Sequence, residues 1–280
     1  MKNSLTGTTS TPLFLRYEKV FEVLFKYGFE DILAHPPLKG LVPSYDRLVP
    51  KRRGKRFDTY TRYQRIRMAC EELGTTYIKF AQIASNRPDL LPEPLIEELA
   101  KLQSNVPPVA WAEIQTILQL SENEAALNLA RIEKEPIASA SIAQVHRGTI
   151  FEGREVVFKI QRPGIKATIE ADLKILWSLA TAVENYFPQS HSFRPKALVK
   201  MFERSIRKEL QFQEEAKNLL RFKDQFEGNP NIYVPDLYPD FCSANVLCME
   251  YIDGKKITNK AQQKRAGVLG SEIARKGIDL

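Results

Sequence analysis

The sequence predicts an α+β fold on three observations. Apolar residues recur at helical spacing in an N-terminal group of segments, at residues 13–33, 60–73, 75–86, 93–103 and 111–119. β-Forming residues then dominate segments 137–150 and 155–161, which are joined by a glycine-containing turn. Two long helical patterns (165–186 and 195–226) and three short β-rich segments (233–234, 241–242 and 246–251) follow, before the start of another helix. No βαβ unit repeats, so a parallel sheet is not expected.

Local signals set the ends of the N-terminal helical segments. A stretch with four prolines, from Pro36 to Pro50, ends the first segment. The second pauses at Gly74, and either Thr75 or Thr76 could cap the helix that follows. Pro88 ends that helix, and a pair of prolines at 107–108 separates the last two segments.

Composition limits the class of protein. The chain has 280 residues, 43% of them hydrophobic and 27% charged, which is ordinary for a globular protein. No apolar run reaches the roughly 18 residues that span a bilayer. Three cysteines without metal-binding or redox spacing indicate a reducing compartment. We therefore expect a cytoplasmic protein, and the net charge of +7 favours contact with anions.

Two N-terminal segments leave alternatives open. Residues 1–12 are rich in Ser and Thr and too polar for a secretory signal, but an organelle transit peptide fits the absence of acids before Glu18. The basic run 51–56 fits either a solvated linker or, beside the amphipathic segment 13–33, a peripheral contact with an anionic membrane surface. It lacks interleaved aromatic residues, so nucleic acid is not an expected partner.

A lysine in the middle of an apolar strand is the strongest single feature. Alternation along 155–161 places Lys159 with Val157 and Gln161 on one face, opposite Val156, Phe158 and Ile160. A buried ammonium is costly unless it is paired. Protein kinases hold ATP phosphates with a lysine at this point of their third strand. The alternative is an edge strand on which Lys159 points into water.

The segment before this strand is rich in small side chains, which let backbone N–H groups approach phosphate oxygens closely. Its serines add hydroxyl donors, and its alanines make it stiffer than a glycine-rich loop. A close-packed structural turn is the alternative. The candidate phosphate-loop residues are Ile137, Ala138, Ser139, Ala140, Ser141, Ile142, Ala143, Gln144 and Val145.

Five motifs, in order, resemble the UbiB/AarF family of atypical protein-kinase-like proteins, and the likeness extends from about residue 14 to the end. Residues 79–82 (Lys-Phe-Ala-Gln) resemble the family's Lys-x-Gly-Gln helix, and residues 86–92 follow its typical continuation. Residues 137–146 with 157–165 resemble its alanine-rich loop and lysine strand. Glu209-Leu-Gln211 is similar to its Glu-x-Asp signature, and residues 246–254 to its hinge strand.

The resemblance implies an atypical kinase-like N-lobe with a family-specific helical extension before it and a truncated C-lobe after it. The expected divisions are an amphipathic helix and basic linker, a helical extension with the Lys-x-Gly-Gln-like motif, the N-lobe and the start of the C-lobe. Their bounds are 1–57, 58–135, 136–253 and 254–280.

The resemblance also implies residue roles. Lys159 would bind nucleotide phosphates and pair with Glu215, and Met249 would stand behind the adenine. The main chain of Glu250 and Ile252 would read the base edge. Lys79, Gln82 and Glu209 would form a regulatory plug, in which Lys79 faces Glu209. Glu209 and Glu215 lie about 120° apart on a straight helix, so they cannot share one partner; solvated helix faces are the alternative for these residues.

Two departures and two absences limit the expected activity. Ala81 replaces the glycine of Lys-x-Gly-Gln, and Gln211 replaces the aspartate of Glu-x-Asp. The sequence contains neither the family's His-x-Asp-Pro-His-Pro-Gly-Asn loop nor an Asp-Phe-Gly motif, so we expect no catalytic residue and no metal site.

The predicted ligand is therefore ATP or ADP, with magnesium only if the missing C-lobe is supplied. The expected function is the ATP-binding part of a kinase or ATPase that supports isoprenoid-quinone biosynthesis, with quinone-biosynthesis proteins or a membrane surface as partners. We expect a fragment or truncated gene product; a non-catalytic pseudokinase module is the alternative.

Overall fold

The structure is a computed structural model that describes residues 13–34, 36–40, 59–102, 106–121, 130–186, 194–254, 267 and 269–278. The candidate transit segment 1–12 and the basic run 51–56 lie outside these residues. The helices within them, in chain order, are α1 (Leu13–Lys26), α2 (Glu30–Leu33), α3 (Pro36–Lys39), α4 (Arg62–Leu73), α5 (Thr75–Ser85), α6 (Glu93–Ala100), α7 (Trp111–Gln119), α8 (Ile165–Tyr186), α9 (Pro195–Glu209), α10 (Phe212–Gln225) and α11 (Gly270–Ile278). None of the helices described is long and apolar enough to cross a membrane.

The N-terminal helices follow the predicted pattern with one added break. The segment 13–33 divides at Gly28, whose φ of +76° ends α1 and turns the chain toward α2. Thr61 caps α4 through a reciprocal capping box with Gln64. Gly74 has a φ of +93° and forms the predicted pause between α4 and α5.

Four antiparallel strands form a sheet in the order β1-β2-β3-β4. They are β1 (Arg131–Ser139), β2 (Ala143–Thr149), β3 (Glu155–Gln161) and β4 (Val246–Glu250). The predicted hairpin between β2 and β3 is present, and its turn is the short 3-10 segment Phe151–Gly153. The β-rich segment 137–150 is two strands rather than one, because the chain reverses between Ser139 and Ala143. Since β3 lies between β2 and β4, Lys159 is not on an edge strand.

Two of the three short strands predicted after α10 do not form, so these two predictions are wrong. Phe241 belongs to the 3-10 turn Pro239–Phe241, and residues 233–234 form no strand. β-Propensity describes how well a side chain fits a half-buried pleated surface. Residues 233–234 and 241–242 pair with no strand of the sheet.

The two faces of the sheet pack against different parts of the chain. Val156, Phe158 and Ile160 are fully buried and share a hydrophobic cluster with Ile114 of α7. On the other face, Leu247 of β4 joins the main core formed with α1, α4, α8 and α9. The alternation predicted for β3 is confirmed, and it turns Lys159 toward the helices that follow the sheet.

A buried ion pair ties the first helix to α8. The Arg16 guanidinium donates to both carboxylate oxygens of Asp172, at 2.6 and 3.0 Å, and to the Leu73 carbonyl at the end of α4. The Asp172 side chain is 0% exposed. One guanidinium therefore fixes α1, α4 and α8 relative to one another.

Polar side chains attach the linker before α7 to the far face of the sheet. His146 is fully buried, and its Nδ1 donates to the Glu133 carbonyl at 2.8 Å. Its Nε2 then accepts from the Gln144 amide nitrogen at 3.2 Å, while the Gln144 carbonyl oxygen accepts from the Val109 N–H. This arrangement requires neutral His146, because a protonated Nε2 would face another donor.

We expect Asp172→Ala to lower the free energy of unfolding by about 3 kcal/mol, because it leaves the mostly buried Arg16 without its carboxylate. Asp31→Ala is the control: Asp31 pairs with Arg62 at 3.5 Å on the surface, where both side chains are about half exposed. Its loss should be below about 1 kcal/mol. Urea unfolding of both variants measures the difference, and equal losses would contradict the anchoring role of Asp172.

His146 should make the protein less stable in mild acid. Burial lowers the His146 pKa below its ordinary value near 6.5, outweighing the opposing effects of the Glu133 carbonyl and the Glu135 charge. As the pH falls, the unfolded chain therefore takes up this proton first. The stabilisation is complete above pH 6.5 and is lost as the pH falls toward the folded-state pKa, by at most about 1.4 kcal/mol per pH unit.

Urea unfolding at pH 7.5 and pH 5.5 tests this expectation. Asn at position 146 can still donate near the Nδ1 position but does not titrate. His146→Asn should therefore show a smaller stability loss between the two pH values than the unchanged protein. The same loss in both proteins would assign the acid sensitivity to other groups.

Candidate nucleotide-binding site

An ion pair on β3 lies at the centre of the candidate site. The Lys159 ammonium donates to both carboxylate oxygens of Glu215 on α10, each at 2.7 Å. It also lies 4.9 Å from the ring centre of the buried Phe212, within range of a cation–π contact. The side chains of Lys159 and Glu215 are 25% and 41% exposed. The predicted contact is present, and the ammonium remains reachable from solvent.

A break between α9 and α10 allows the Glu215 carboxylate to reach the Lys159 ammonium. The sequence predicts one helix over 195–226, but α9 ends at Glu209 and α10 begins at Phe212. The buried side chain of Gln161, at the end of β3, donates to the Leu210 carbonyl at 2.7 Å. The Gln211 carbonyl accepts from the N–H groups of the first turn of α10. The chain is thereby redirected beside Lys159.

Sequence reasoning placed Gln161 on the lysine face but gave it no role. A buried amide at the end of an apolar strand is the signal that could have found it, because such a group needs a hydrogen-bond partner. Its partner is the helix end that precedes Glu215, so Gln161 positions the carboxylate that meets Lys159.

The candidate phosphate loop contains a tight turn between β1 and β2. The Ala140 N–H donates to the Ala143 carbonyl at 2.9 Å and closes the turn. The Ile142 carbonyl accepts from the N–H of Arg162, also at 2.9 Å, which ties the turn to the end of β3. Part of the main-chain hydrogen-bonding capacity of this loop is therefore used within the sheet.

The Arg162 side chain braces the same turn. Its guanidinium donates to the Ala140 carbonyl at 2.9 Å, to the Ser139 hydroxyl at 2.7 Å and to the Pro107 carbonyl at 2.8 Å. Burial lowers the pKa of Arg162 from its ordinary value. Sequence reasoning missed this residue. A single arginine joins the loop, β3 and the linker before α7.

The nine predicted loop residues do not share one environment. Ile137, Ala138 and Ala140 are exposed, whereas the side chains from Ser141 to Ala143 are buried. Val145 pairs with Lys159 in the sheet register and lies on the same face. Gln144 lies on the opposite face, bonded to His146 and Val109. Its side chain is therefore withdrawn from the candidate site, because alternation along β2 turns it away from Lys159.

The predicted hinge lies at the end of β4. Met249 pairs with Val157 and shares the Lys159 face of the sheet. The Glu250 N–H donates to the Asp236 carbonyl at 2.8 Å, and its carboxylate accepts from the Tyr233 hydroxyl at 2.5 Å. Ile252, beyond the strand, is exposed. The Glu250 carbonyl and the Ile252 N–H are the main-chain groups predicted to bind the adenine edge.

The proposed plug residues form a second polar group on α5 and α9. Lys79 Nζ lies 2.7 Å from Glu209 Oε1, so this predicted pair is present. Gln82 instead donates to the Leu102 carbonyl at 3.1 Å, after α6. Lys79 and Gln82 therefore contact different elements despite their helical spacing. Ala81 is buried in an apolar cluster of α5, α6 and α9, where its methyl group packs, whereas Gln211 is exposed.

The candidate site offers cationic and neutral donors but few acidic groups. Over the residues that the structure describes, no three His, Cys, Asp or Glu side chains lie close enough together to hold a metal ion.

Several curated proteins that share one name match almost the whole of this chain. The chain is 36% identical to the probable protein kinase UbiB of Cellvibrio japonicus, over 95% of this chain and 48% of the relative. It is also 36% identical to the proteins of the same name from Pseudomonas fluorescens Pf0-1 and Azotobacter vinelandii, in each case over 95% of this chain and 50% of the relative. The chain thus spans about half the length of these curated relatives.

A solved structure and a family model also match. The complex of Rv3197 with erythromycin from Mycobacterium tuberculosis is 27% identical, covers 66% of this chain and 48% of its own, and has a TM-score of 0.45. The family model described as the ABC1 atypical kinase-like domain matches residues 101–280, well over half of the chain. The chain, with its mixed helical and antiparallel fold, belongs to the ABC1 atypical kinase-like family.

Proposed function

We propose that this chain is the nucleotide-binding part of a UbiB-type atypical kinase or ATPase that supports isoprenoid-quinone biosynthesis. The observation that carries the proposal is the contact between Lys159, on an interior strand, and Glu215, on the helix beside it. Protein kinases use such a pair to hold the lysine against nucleotide phosphates.

The chemistry of this pair suits a phosphate. An ammonium has three donors, and two of the Lys159 donors are directed at Glu215. The remaining donor and the positive charge can meet a phosphate oxygen. The turn at Ala140 and Ser141, with its small side chains, would lie along the phosphates. Met249 and the main chain of Glu250 and Ile252 would contact the base.

We propose that ATP or ADP binds without phosphoryl transfer by this chain alone. Transfer needs an aspartate to orient the acceptor and further side chains to hold magnesium, which neutralises the developing charge. The sequence contains neither motif that supplies these groups. Lys79, Gln82 and Glu209 would regulate access to the site as the plug, although Gln82 would do so through the end of α6.

A membrane surface is the partner we favour beside nucleotide. At the start of α1, Leu13, Phe14 and Leu15 are 38%, 41% and 47% exposed. Exposed apolar side chains on an amphipathic helix favour insertion into an interfacial layer. We therefore propose that the protein is cytoplasmic and contacts the membrane peripherally through this surface, near quinone-biosynthesis proteins. No nucleic acid partner is proposed.

A non-catalytic module is the second candidate function. The sequence favours it, because it contains neither motif that carries the catalytic aspartate and the magnesium-binding side chains of kinases. In this candidate the chain binds nucleotide or membrane and acts through partners.

Lys159→Ala should weaken ATP and ADP binding roughly ten- to a hundredfold, because it removes a charged hydrogen bond worth about 1.5–3 kcal/mol. Thermal shift with added nucleotide and isothermal titration measure the change. Lys196→Ala is the matched control, since Lys196 pairs with Glu184 at 3.2 Å on α8 and α9, away from the sheet. Equal nucleotide affinity in all three proteins would refute the proposed site.

Removal of magnesium should leave nucleotide affinity within about threefold, because the chain lacks the side chains that hold this ion in kinases. The same titration in excess EDTA and in excess magnesium measures the effect. Loss of binding in EDTA would show that the chain requires the magnesium–nucleotide complex and would favour the catalytic candidate over the non-catalytic module.

A further inference from the structure

The Arg162 guanidinium at the end of β3 is held only by neutral oxygen atoms. Its hydrogen bonds end on the Ala140 carbonyl, the Ser139 hydroxyl and the Pro107 carbonyl, at 2.9, 2.7 and 2.8 Å. Burial lowers the pKa of Arg162, and no carboxylate among the described residues counteracts this effect. In contrast, Arg154, at the other end of β3, pairs with a glutamate. A buried charge is normally paired with an opposite charge, so the position of Arg162 calls for a further explanation.

The guanidinium contacts the turn between β1 and β2 from the face of the sheet opposite Lys159. Ser139 pairs directly with Gln144, and paired residues of an antiparallel ladder project their side chains on the same face. Gln144 lies on the face opposite Lys159, because it is one residue away from the partner of Lys159 in β2. Arg162 contacts the Ser139 hydroxyl and the Pro107 carbonyl on this same face. It is therefore not a second cation beside Lys159.

The tip of the turn has two main-chain donors that the protein does not use. Ser141 and Ile142 form the tip, between Ala140 and Ala143, and neither of their N–H groups donates to another residue that the structure describes. The Ala140 N–H, in contrast, donates to the Ala143 carbonyl at 2.9 Å. Adjacent main-chain N–H groups form common binding sites for phosphate oxygens. The tip can therefore bind a phosphate only if these N–H groups point toward it.

The bond from Arg162 to the Ala140 carbonyl fixes the direction of one of these donors. The Ala140 carbonyl and the Ser141 N–H belong to one planar trans peptide unit, in which the two groups point in opposite directions. Because Arg162 holds the carbonyl on the face opposite Lys159, the Ser141 N–H points toward the Lys159 side of the turn. Rotation of this peptide unit would break a charge-assisted hydrogen bond and would direct the N–H at the guanidinium.

We propose that Arg162 is a positioning residue for phosphate recognition: it holds the Ala140–Ser141 peptide so that the Ser141 N–H donates to a phosphate oxygen of the nucleotide. Arg162 itself does not contact the nucleotide. Its positive charge also polarises the peptide unit, which strengthens the Ser141 N–H as a donor. This role rests on the proposed nucleotide-binding function and adds to it a residue that distinguishes phosphorylated nucleotides from the bare nucleoside.

Isothermal titration with ATP and with adenosine tests this role. Arg162→Gln should weaken ATP binding about three- to tenfold, the effect of one hydrogen bond, and adenosine binding by less than about twofold. Arg154→Gln is the matched control, because it removes the same charge at the other end of β3, and it should retain ATP affinity. Unchanged ATP affinity in Arg162→Gln, or an equal loss for ATP and adenosine, would overturn the proposal.

Arg162→Lys separates positioning from charge. Lysine keeps the positive charge but lacks the planar fork of donors that contacts three oxygen atoms at once. We therefore expect Arg162→Lys to lose most of the ATP affinity that Arg162→Gln loses. Full ATP affinity in Arg162→Lys would assign the effect to charge alone and would overturn the positioning role. Absence of ATP binding in the unchanged protein would instead refute the nucleotide site, and this role with it.

Amide hydrogen exchange keeps the proposal testable if the Arg162 variants fail to fold. In the unchanged protein, ATP should slow the exchange of the Ser141 N–H at least about threefold, whereas adenosine should leave it unchanged. In a folded Arg162→Gln protein without nucleotide, the Ala140 N–H should exchange at least about threefold faster, because the turn loses its brace. Equal exchange of the Ser141 N–H with and without ATP would overturn the proposal, even where ATP binds.

Discussion

A lysine in the interior of a sheet is the constraint on which the arrangement around the candidate site depends. An ammonium on β3 with strands on both sides must have a counter-charge nearby, and Glu215 provides it at 2.7 Å. That carboxylate arrives on a separate helix, so the chain must turn between α9 and α10. Gln161 holds this turn through the Leu210 carbonyl. The strand that carries the cation thus also positions the helix that neutralises it.

The features of this region that depend on neighbouring residues in the sequence could be predicted. Helix α8 has the predicted bounds, and alternation on β3 correctly separates Lys159 from the apolar core. The contacts of Lys159 with Glu215 and of Lys79 with Glu209 were expected from the family resemblance and are present. Their functional roles stay predictions.

The remaining features depend on contacts between distant residues. Helical periodicity continues through Leu210 without interruption, and only the side chain of Gln161, 49 residues earlier, identifies the break. Gln144 was assigned with its neighbours as one loop, although period-two alternation already placed it opposite Val145. The brace from Arg162 could not be predicted, because it needs the positions of Ser139 and Pro107 at once.

The brace also has a consequence for how a ligand would be received. A loop held by Arg162 from the side of β3, and by its own Ala140–Ala143 bond, has little freedom to fold down over a bound molecule. A nucleotide would then bind to a preformed site. Its association rate would be limited by diffusion to the site rather than by a movement of the loop. Selectivity among nucleotides would in that case arise from steric fit to a rigid rim.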